Sequence, residues 1–234
     1  MSYKMNEDYY NLLYKRYLRR SPKEMLRIAD IKPGNSVLDL CCGSNGRASK
    51  SALEMGASYV CAVDSNMNAY KLKDFNIDVF CDDIESFFLK IKIQDFYGKE
   101  NSKSNHPDVL FDIVVCQQGV NYWINKNGII KDIHSVMNYG GKFVFNTFNK
   151  CPSHNVSVKE YIIDGLRYVE VFNSFFGSCG KKIISHLQCC DGYQPHYTEF
   201  YWISPEEYID ILSDAFDDIK VFTDKNTDIY LCTK

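Results

Sequence analysis

The chain has 234 residues, 45% of them hydrophobic and 24% charged, with 27 Lys and Arg against 30 Asp and Glu for a net charge of −3. These values exclude a disordered, collagen-like or coiled-coil chain and fit one globular domain with a substantial core. The acidic balance argues against a nucleic-acid footprint and against a basic membrane-binding face.

The opening Met1–Asp8 lacks the charged-then-apolar pattern of a signal peptide, and the apolar runs are strand-sized, so the chain reads as cytoplasmic with no membrane span. Its 10 cysteines are then expected to be reduced, mostly core thiols. There is no Cys-x-x-Cys, and the adjacent pairs Cys41-Cys42 and Cys189-Cys190 suit a zinc site poorly, so no metal is expected.

Residues 1–20 carry Tyr and Leu at helical spacing, including Tyr9, Tyr10, Leu13, Tyr14 and Tyr17, with Arg16, Arg19 and Arg20 among them. They read as a helical segment able to close over a ligand. Ser21-Pro22-Lys23-Glu24 opens the next helix as a capping box with Pro at its first position, and Pro33-Gly34 is expected to stop it. Apolar strands at 36–40, 59–64, 77–81, 111–116 and 142–146 then alternate with helical stretches at 47–55, 66–74, 87–96 and 129–137. Short, wholly apolar strands separated by helices predict a doubly wound α/β fold, with the ligand at the carboxyl ends of a parallel sheet.

From Cys151 the pattern changes. Three β-rich runs, 166–173, 182–190 and 196–203, are separated by turn chemistry with no helix between them. This predicts an antiparallel β insertion over 151–203 within a single 1–234 domain. Ser204-Pro205-Glu206-Glu207 then opens a helix through Ala215, and the runs 219–222 and 229–232 close the chain as a hairpin.

The segment Val37-Leu38-Asp39-Leu40-Cys41-Cys42-Gly43-Ser44-Asn45-Gly46 carries the most chemistry. A strand delivers an acid, turns on glycines and enters a helix whose N-terminal N–H groups are free for a ligand. Asp64, at the end of the second strand, is placed to accept both ribose hydroxyls of an adenosine. A phosphate-binding loop would need Gly-Lys-Ser/Thr, which is absent. Asp39 would repel a pyrophosphate but can attract an ammonium group, directly or through water. An adenosine joined to an amino acid satisfies both acids.

On these residues the chain resembles the class I S-adenosylmethionine-dependent methyltransferases. The resemblance covers about residues 22–150 and the closing helix and hairpin, and implies a seven-stranded, mostly parallel sheet. Asp39 to Gly46 looks like the first family motif, with Cys41 in place of its first Gly and Asn45 where the last is common. Asn45, which tolerates the left-handed region, is expected to preserve the turn. The resemblance implies that Asp39, Gly43, Asn45, Asp64 and Ser65 hold the methionine and ribose parts of S-adenosyl-L-methionine. It implies that Asp82 or Asp83 meets the adenine amino group. Asp83 is preferred, because Ile84 then supplies the neighbouring backbone donor. Gln117, ending the fourth strand, would border cofactor and substrate.

Methyl transfer is an in-line displacement in which the protein mainly positions the acceptor and excludes water. The acceptor is expected beside Gln117–Trp123, with Tyr122 as a pocket wall. That loop lacks the Asn/Asp-Pro-Pro-aromatic signature of nucleobase amino-methylation, so a small-molecule acceptor is expected. The aromatic-rich insertion would cover it. Candidate bases are His196 first, then His186 and His154. Alternatives are a non-catalytic cofactor-binding scaffold subunit, an RNA methyltransferase using the Lys15–Arg20 cluster, and a nicotinamide-dependent oxidoreductase.

Overall fold

The computed structural model describes residues 21–97, 110–150, 156–163, 165–176, 182–190, 195–224 and 227–234. The expected N-terminal segment, residues 1–20, lies outside them, as does His154.

The chain enters at helix α1 (Pro22–Ile28), where Ser21 Oγ accepts from Glu24 N at 3.2 Å and Pro22 holds the first turn. The helix ends before the expected Pro33-Gly34 stop, because Asp30 takes a left-handed φ of 56° just beyond the cap. Then follow β1 (Ser36–Leu40), α2 (Arg47–Glu54), β2 (Tyr59–Val63), a 3-10 helix (Met67–Phe75), β3 (Asp78–Phe80), α3 (Ile84–Tyr97) and β4 (Phe111–Gln117). A short 3-10 turn (Gly119–Tyr122) leads to α4 (Lys126–Ser135) and β5 (Met137–Phe148). After the insertion come α5 (Pro205–Ser213), β10 (Asp218–Asp224) and β11 (Thr227–Thr233). Ser204 and Glu207 form the expected reciprocal capping box at α5.

These strands build a seven-stranded sheet in the order β3-β2-β1-β4-β5-β11-β10. β1 to β5 run parallel, and β11 inserts antiparallel between β5 and β10. Both faces are covered, as the uninterrupted apolar strands require. One face packs Leu38, Leu40, Val114, Cys116, Phe143 and Phe145 against α3, α4 and α5. The other packs Val37, Val60, Ala62, Val115 and Val144 against α1, α2 and the first 3-10 helix. The chain order reverses between β1 and β4, which opens a crevice at their carboxyl ends.

The insertion is a second, antiparallel sheet of four strands, not three: β6 (Ser157–Ile163), β7 (Leu166–Phe176), β8 (Lys182–Cys190) and β9 (His196–Trp202). β6 escapes the sequence reading because it is an edge strand whose Lys159 and Glu160 break its apolar alternation. Among the described residues no helix is long and apolar enough to cross a membrane.

Candidate cofactor and acceptor site

Asp39, the last residue but one of β1, is almost fully buried, at 1% exposure. Its Oδ2 accepts from Ser49 N at 2.9 Å and from Ser49 Oγ at 2.6 Å, which ties the first turn of α2 to the strand. Burial pushes the Asp39 carboxyl up to about 7; the Ser49 hydrogen bonds oppose this and the neighbouring Asp64 charge adds to it. Ser49 is a site-building residue that the sequence reading missed; its signal is a Ser in the first turn of a helix that follows an acid-terminated strand.

Asp64 stands directly after β2. Its Oδ2 accepts from Gly43 N and its Oδ1 from Asn66 N, both at 2.8 Å. One carboxylate thus fixes the turn after β1 and the turn after β2 to each other. Burial raises its pKa, against the lowering effect of the Asn66 and Gly43 donors. A carboxylate offers about four lone-pair sites, so two remain on Asp64 for further donors. At Gly43, with φ of 66°, an added Cβ would meet nothing within 4 Å, so the backbone faces open space beside that carboxylate. Gly46 differs: its φ is 50° and an added Cβ would lie 2.4 Å from Leu72 Cδ1, so glycine is what allows the start of α2 to approach the 3-10 helix.

The left-handed residues of this turn are Cys41 (φ 59°), Gly43 and Gly46, and Asn45 is not among them. The expected role of Asn45 in rescuing the turn is therefore corrected. Cys41 takes the left-handed position itself, at a cost of about 1–2 kcal/mol for a residue with a Cβ.

The two acids after β3 separate clearly. Asp83 caps α3, with Oδ1 accepting from Ser86 N at 2.9 Å and Oδ2 from Ser86 Oγ at 2.7 Å. These bonds hold its carboxyl below the usual range. Asp83, the preferred adenine partner, thus gives one lone-pair site on each oxygen to the cap, and Ile84 is the first helical residue behind it. Asp82 is more buried and pairs with Lys90 Nζ. Ser65 is exposed between Asp64 and the 3-10 helix.

On the β4 side, Gln117 is buried at the strand end, opposite Asn146 of β5. Asn146 Oδ1 accepts from Gln118 N at 2.8 Å, which holds Gln118 at a left-handed φ of 61°. Asn121 Oδ1 accepts from Thr147 Oγ1 at 2.6 Å. The buried Lys126 Nζ donates to Val120 O at 2.8 Å and Trp123 O at 2.7 Å. Asn146, Thr147, Asn121 and Lys126 therefore pin the turn that carries Tyr122; the sequence signal was the polar pair Asn146-Thr147 directly after the apolar run 143–145 of β5.

Tyr122 touches the insertion sheet, its ring 4.9 Å from that of Phe200 on β9. Phe200 lies 6.1 Å from His186, which stacks on Phe172 at 4.1 Å and 9°. His186 is 4% exposed, with Nε2 3.2 Å from Glu170 Oε1 and Nδ1 3.2 Å from the Gln188 amide nitrogen. His196 is the first residue of β9, opposite Gln188 on β8. The structure thus brings Asp39, Gly43 and Asp64 together at one end of the crevice. It joins Tyr122 to the face of the insertion that carries His186.

A methyltransferase-domain family profile matches residues 10–176, most of the chain. The chain belongs to the methyltransferase domain family. It is an enzyme of the class I fold, and S-adenosylmethionine is the cofactor that goes with that assignment. Solved structures agree on the fold. An S-adenosylmethionine-dependent methyltransferase from Clostridium acetobutylicum is 17% identical, with a TM-score of 0.66 over 97% of this chain and 98% of that one. One from Mesorhizobium loti is 14% identical, with a TM-score of 0.58 over 92% and 98%. The 1,6-didemethyltoxoflavin-N1-methyltransferase of Burkholderia thailandensis, solved with its substrate and S-adenosylhomocysteine, is 13% identical, with a TM-score of 0.56 over 99% and 84%. No curated protein matches the chain in sequence.

Proposed function

We propose that the enzyme methylates a small molecule enclosed between the Tyr122 turn and the four-stranded insertion. The observation that carries this reading is the contact of Tyr122 with Phe200, which brings the insertion against the turn after β4. An aromatic-rich cover encloses a compact ligand and keeps water from the reacting atoms. The small-molecule enzyme from Burkholderia thailandensis has the same overall fold, which adds support by analogy.

In this reading Asp64 takes the ribose hydroxyls on its two remaining lone-pair sites. Gly43 lets the cofactor approach the backbone, with Asn45 and Ser65 bordering the two turns. Asp39 faces the ammonium end, through water. Asp82, the less exposed of the two acids after β3, takes the adenine amino group while Asp83 caps α3. Gln117 lies between cofactor and acceptor. S-adenosylmethionine supplies an electrophilic methyl on a sulfonium. The chain's residues bind and orient both molecules and exclude water. His196, at the start of β9, is the proposed proton acceptor; His186, paired with Glu170 and Gln188, is the proposed positioning residue behind it. Residues 1–20 are proposed to close over the bound cofactor. The protein is proposed to work in the cytoplasm.

The test is product formation from labelled S-adenosylmethionine across panels of amines, phenols and heteroaromatics, with transfer RNA and ribosomal RNA alongside. Turnover on a small molecule and none on RNA is expected. Turnover on RNA alone refutes the reading, and binding of cofactor with no turnover on any panel favours the scaffold alternative.

A further inference from the structure

Cys41 is costly where it stands. It holds a left-handed φ of 59° in the cofactor turn, although glycine would take that conformation without strain. The backbone twist has a consequence for its side chain. Consecutive residues of an extended strand point to opposite faces, yet Leu40 and Cys41 both pack on the face that holds Cys116. The twist at Cys41 is what turns its thiol toward β4.

The two thiols then meet over Gly119. A Cβ added to Gly119 would lie 2.7 Å from Cys41 Sγ and 2.7 Å from Cys116 Sγ, so twice that distance bounds their separation. Cys41 is among the neighbours that push the Cys116 thiol up, after burial itself. Any side chain at position 119 would occupy the space they share. Cys42, the next residue, packs on the opposite face of the sheet. Cys41 thus has one thiol within reach across the crevice, on the strand that ends at the acceptor turn.

We propose that Cys41 and Cys116 are a paired oxidation site, which a peroxide-class oxidant closes to a disulfide that draws the cofactor turn out of its binding geometry. Cys41 is half-buried and Cys116 fully buried, so Cys41 meets the oxidant first. Its sulfur takes an oxygen from the peroxide, giving a sulfenic acid and one water. The Cys116 sulfur then attacks that sulfur; the S–O bond breaks, the S–S bond forms, and the hydroxyl leaves with the thiol proton as a second water. Two thiols lose two electrons in all, and one peroxide becomes two waters. Burial pushes the Cys116 thiol far up, which makes this second step the slow one. A disulfide needs its Cβ atoms about 3.5–4.5 Å apart, so closure draws Cys41 onto Cys116 of β4. Gly43, two residues on, is then displaced from Asp64. A thiol reductant reverses the step.

The consequence rests on the cofactor reading above; the pairing does not. The test treats the whole protein with hydrogen peroxide, maps crosslinks by non-reducing peptide mass spectrometry, and measures S-adenosylhomocysteine affinity before and after, then again after dithiothreitol. A 41–116 crosslink is expected, with affinity at least tenfold weaker when oxidised and restored on reduction. The ratio of reduced to oxidised affinity should fall to near one in Cys116→Ser. Because that substitution buries a hydroxyl and can cost folding, Cys41→Gly, which relieves the left-handed strain, is measured in parallel. No 41–116 crosslink under conditions that oxidise Cys41 overturns the pair. A crosslink that leaves affinity unchanged overturns its consequence. If the reduced protein itself fails to bind S-adenosylhomocysteine, the cofactor reading fails and the consequence with it, and the crosslink map still decides the pair.

Discussion

Removing the Asp64 carboxylate should cost the enzyme its cofactor while leaving the fold intact. In the structure this group accepts from Gly43 N and Asn66 N at 2.8 Å, one bond to each oxygen. Two ribose hydroxyls would add one donor to each oxygen, and a hydrogen bond to a charged acceptor contributes about 1.5–3 kcal/mol. Water entering the truncated site of Asp64→Ala returns part of that. The net loss is then about 3 kcal/mol, or about 150-fold in Kd. Asp64→Asn keeps one acceptor oxygen but presents an amide N–H where a second is needed, so about half that loss is expected. Calorimetric titration with S-adenosylhomocysteine reads the affinity, and the unfolding transition of each variant shows whether it is folded. A folded Asp64→Ala protein within threefold of the native affinity would refute the ribose assignment, whatever its activity.

Asp39 makes a prediction in pH. Its pKa rises from 3.8 to about 7 on folding, so the folded state holds a proton that the unfolded chain has released between those values. Stability from this group is full below about pH 4 and is lost as pH rises to about 7. Asp39→Asn keeps an acceptor for Ser49 and should gain stability relative to the native protein across that window; parallel urea-unfolding curves at both ends would contradict it. If an ammonium group ionises Asp39, S-adenosylhomocysteine binding near about pH 6.5 should release protons, seen as a dependence of the binding heat on buffer ionisation enthalpy. Gly46→Ala combines a left-handed φ with a contact 2.4 Å from the buried Leu72, and should destabilise by about 2–4 kcal/mol in denaturant unfolding; a loss under half that would show the turn to be pliant. Asp112 works against its burial and is held below 3.8 by Ser36, Asn138 and Asn35. Its contribution should be present at neutral pH and fade as pH falls below that value, so native and Asp112→Asn stabilities should converge in acid.

Much of the architecture is legible because local and tertiary preferences agree. The apolar strands at 36–40, 59–63 and 111–116 have no exposed face in a sheet covered on both sides. The caps at Ser21 and Ser204 are set by three-residue spacing alone. The place of Asp64 beside the Gly turn was legible because it follows directly on the second apolar strand. The misses lie where tertiary contact overrides propensity. Asn45 has the better intrinsic tolerance for a left-handed φ, but Cys41 takes it, because its side chain then packs beside Gly119 and Cys116. The capping role of Asp83 was not visible, because the expected helix began only at Phe87. The helix starts at Ile84, and the Asp-x-x-Ser spacing to Ser86 marks the cap. Glu170 was invisible as a partner of His186, because antiparallel pairing of β7 with β8 creates their proximity, whereas Gln188 lies two residues on along β8, on the same face.

The most direct measurement is a crystal structure of the protein with S-adenosylhomocysteine. The account predicts one molecule in the crevice between β1 and β4, with both ribose hydroxyls on the Asp64 carboxylate. The adenine amino group should lie on Asp82, and the sulfur should face the space between Tyr122 and the insertion. A ribose bound away from Asp64, or a sulfur turned away from Tyr122, would contradict it.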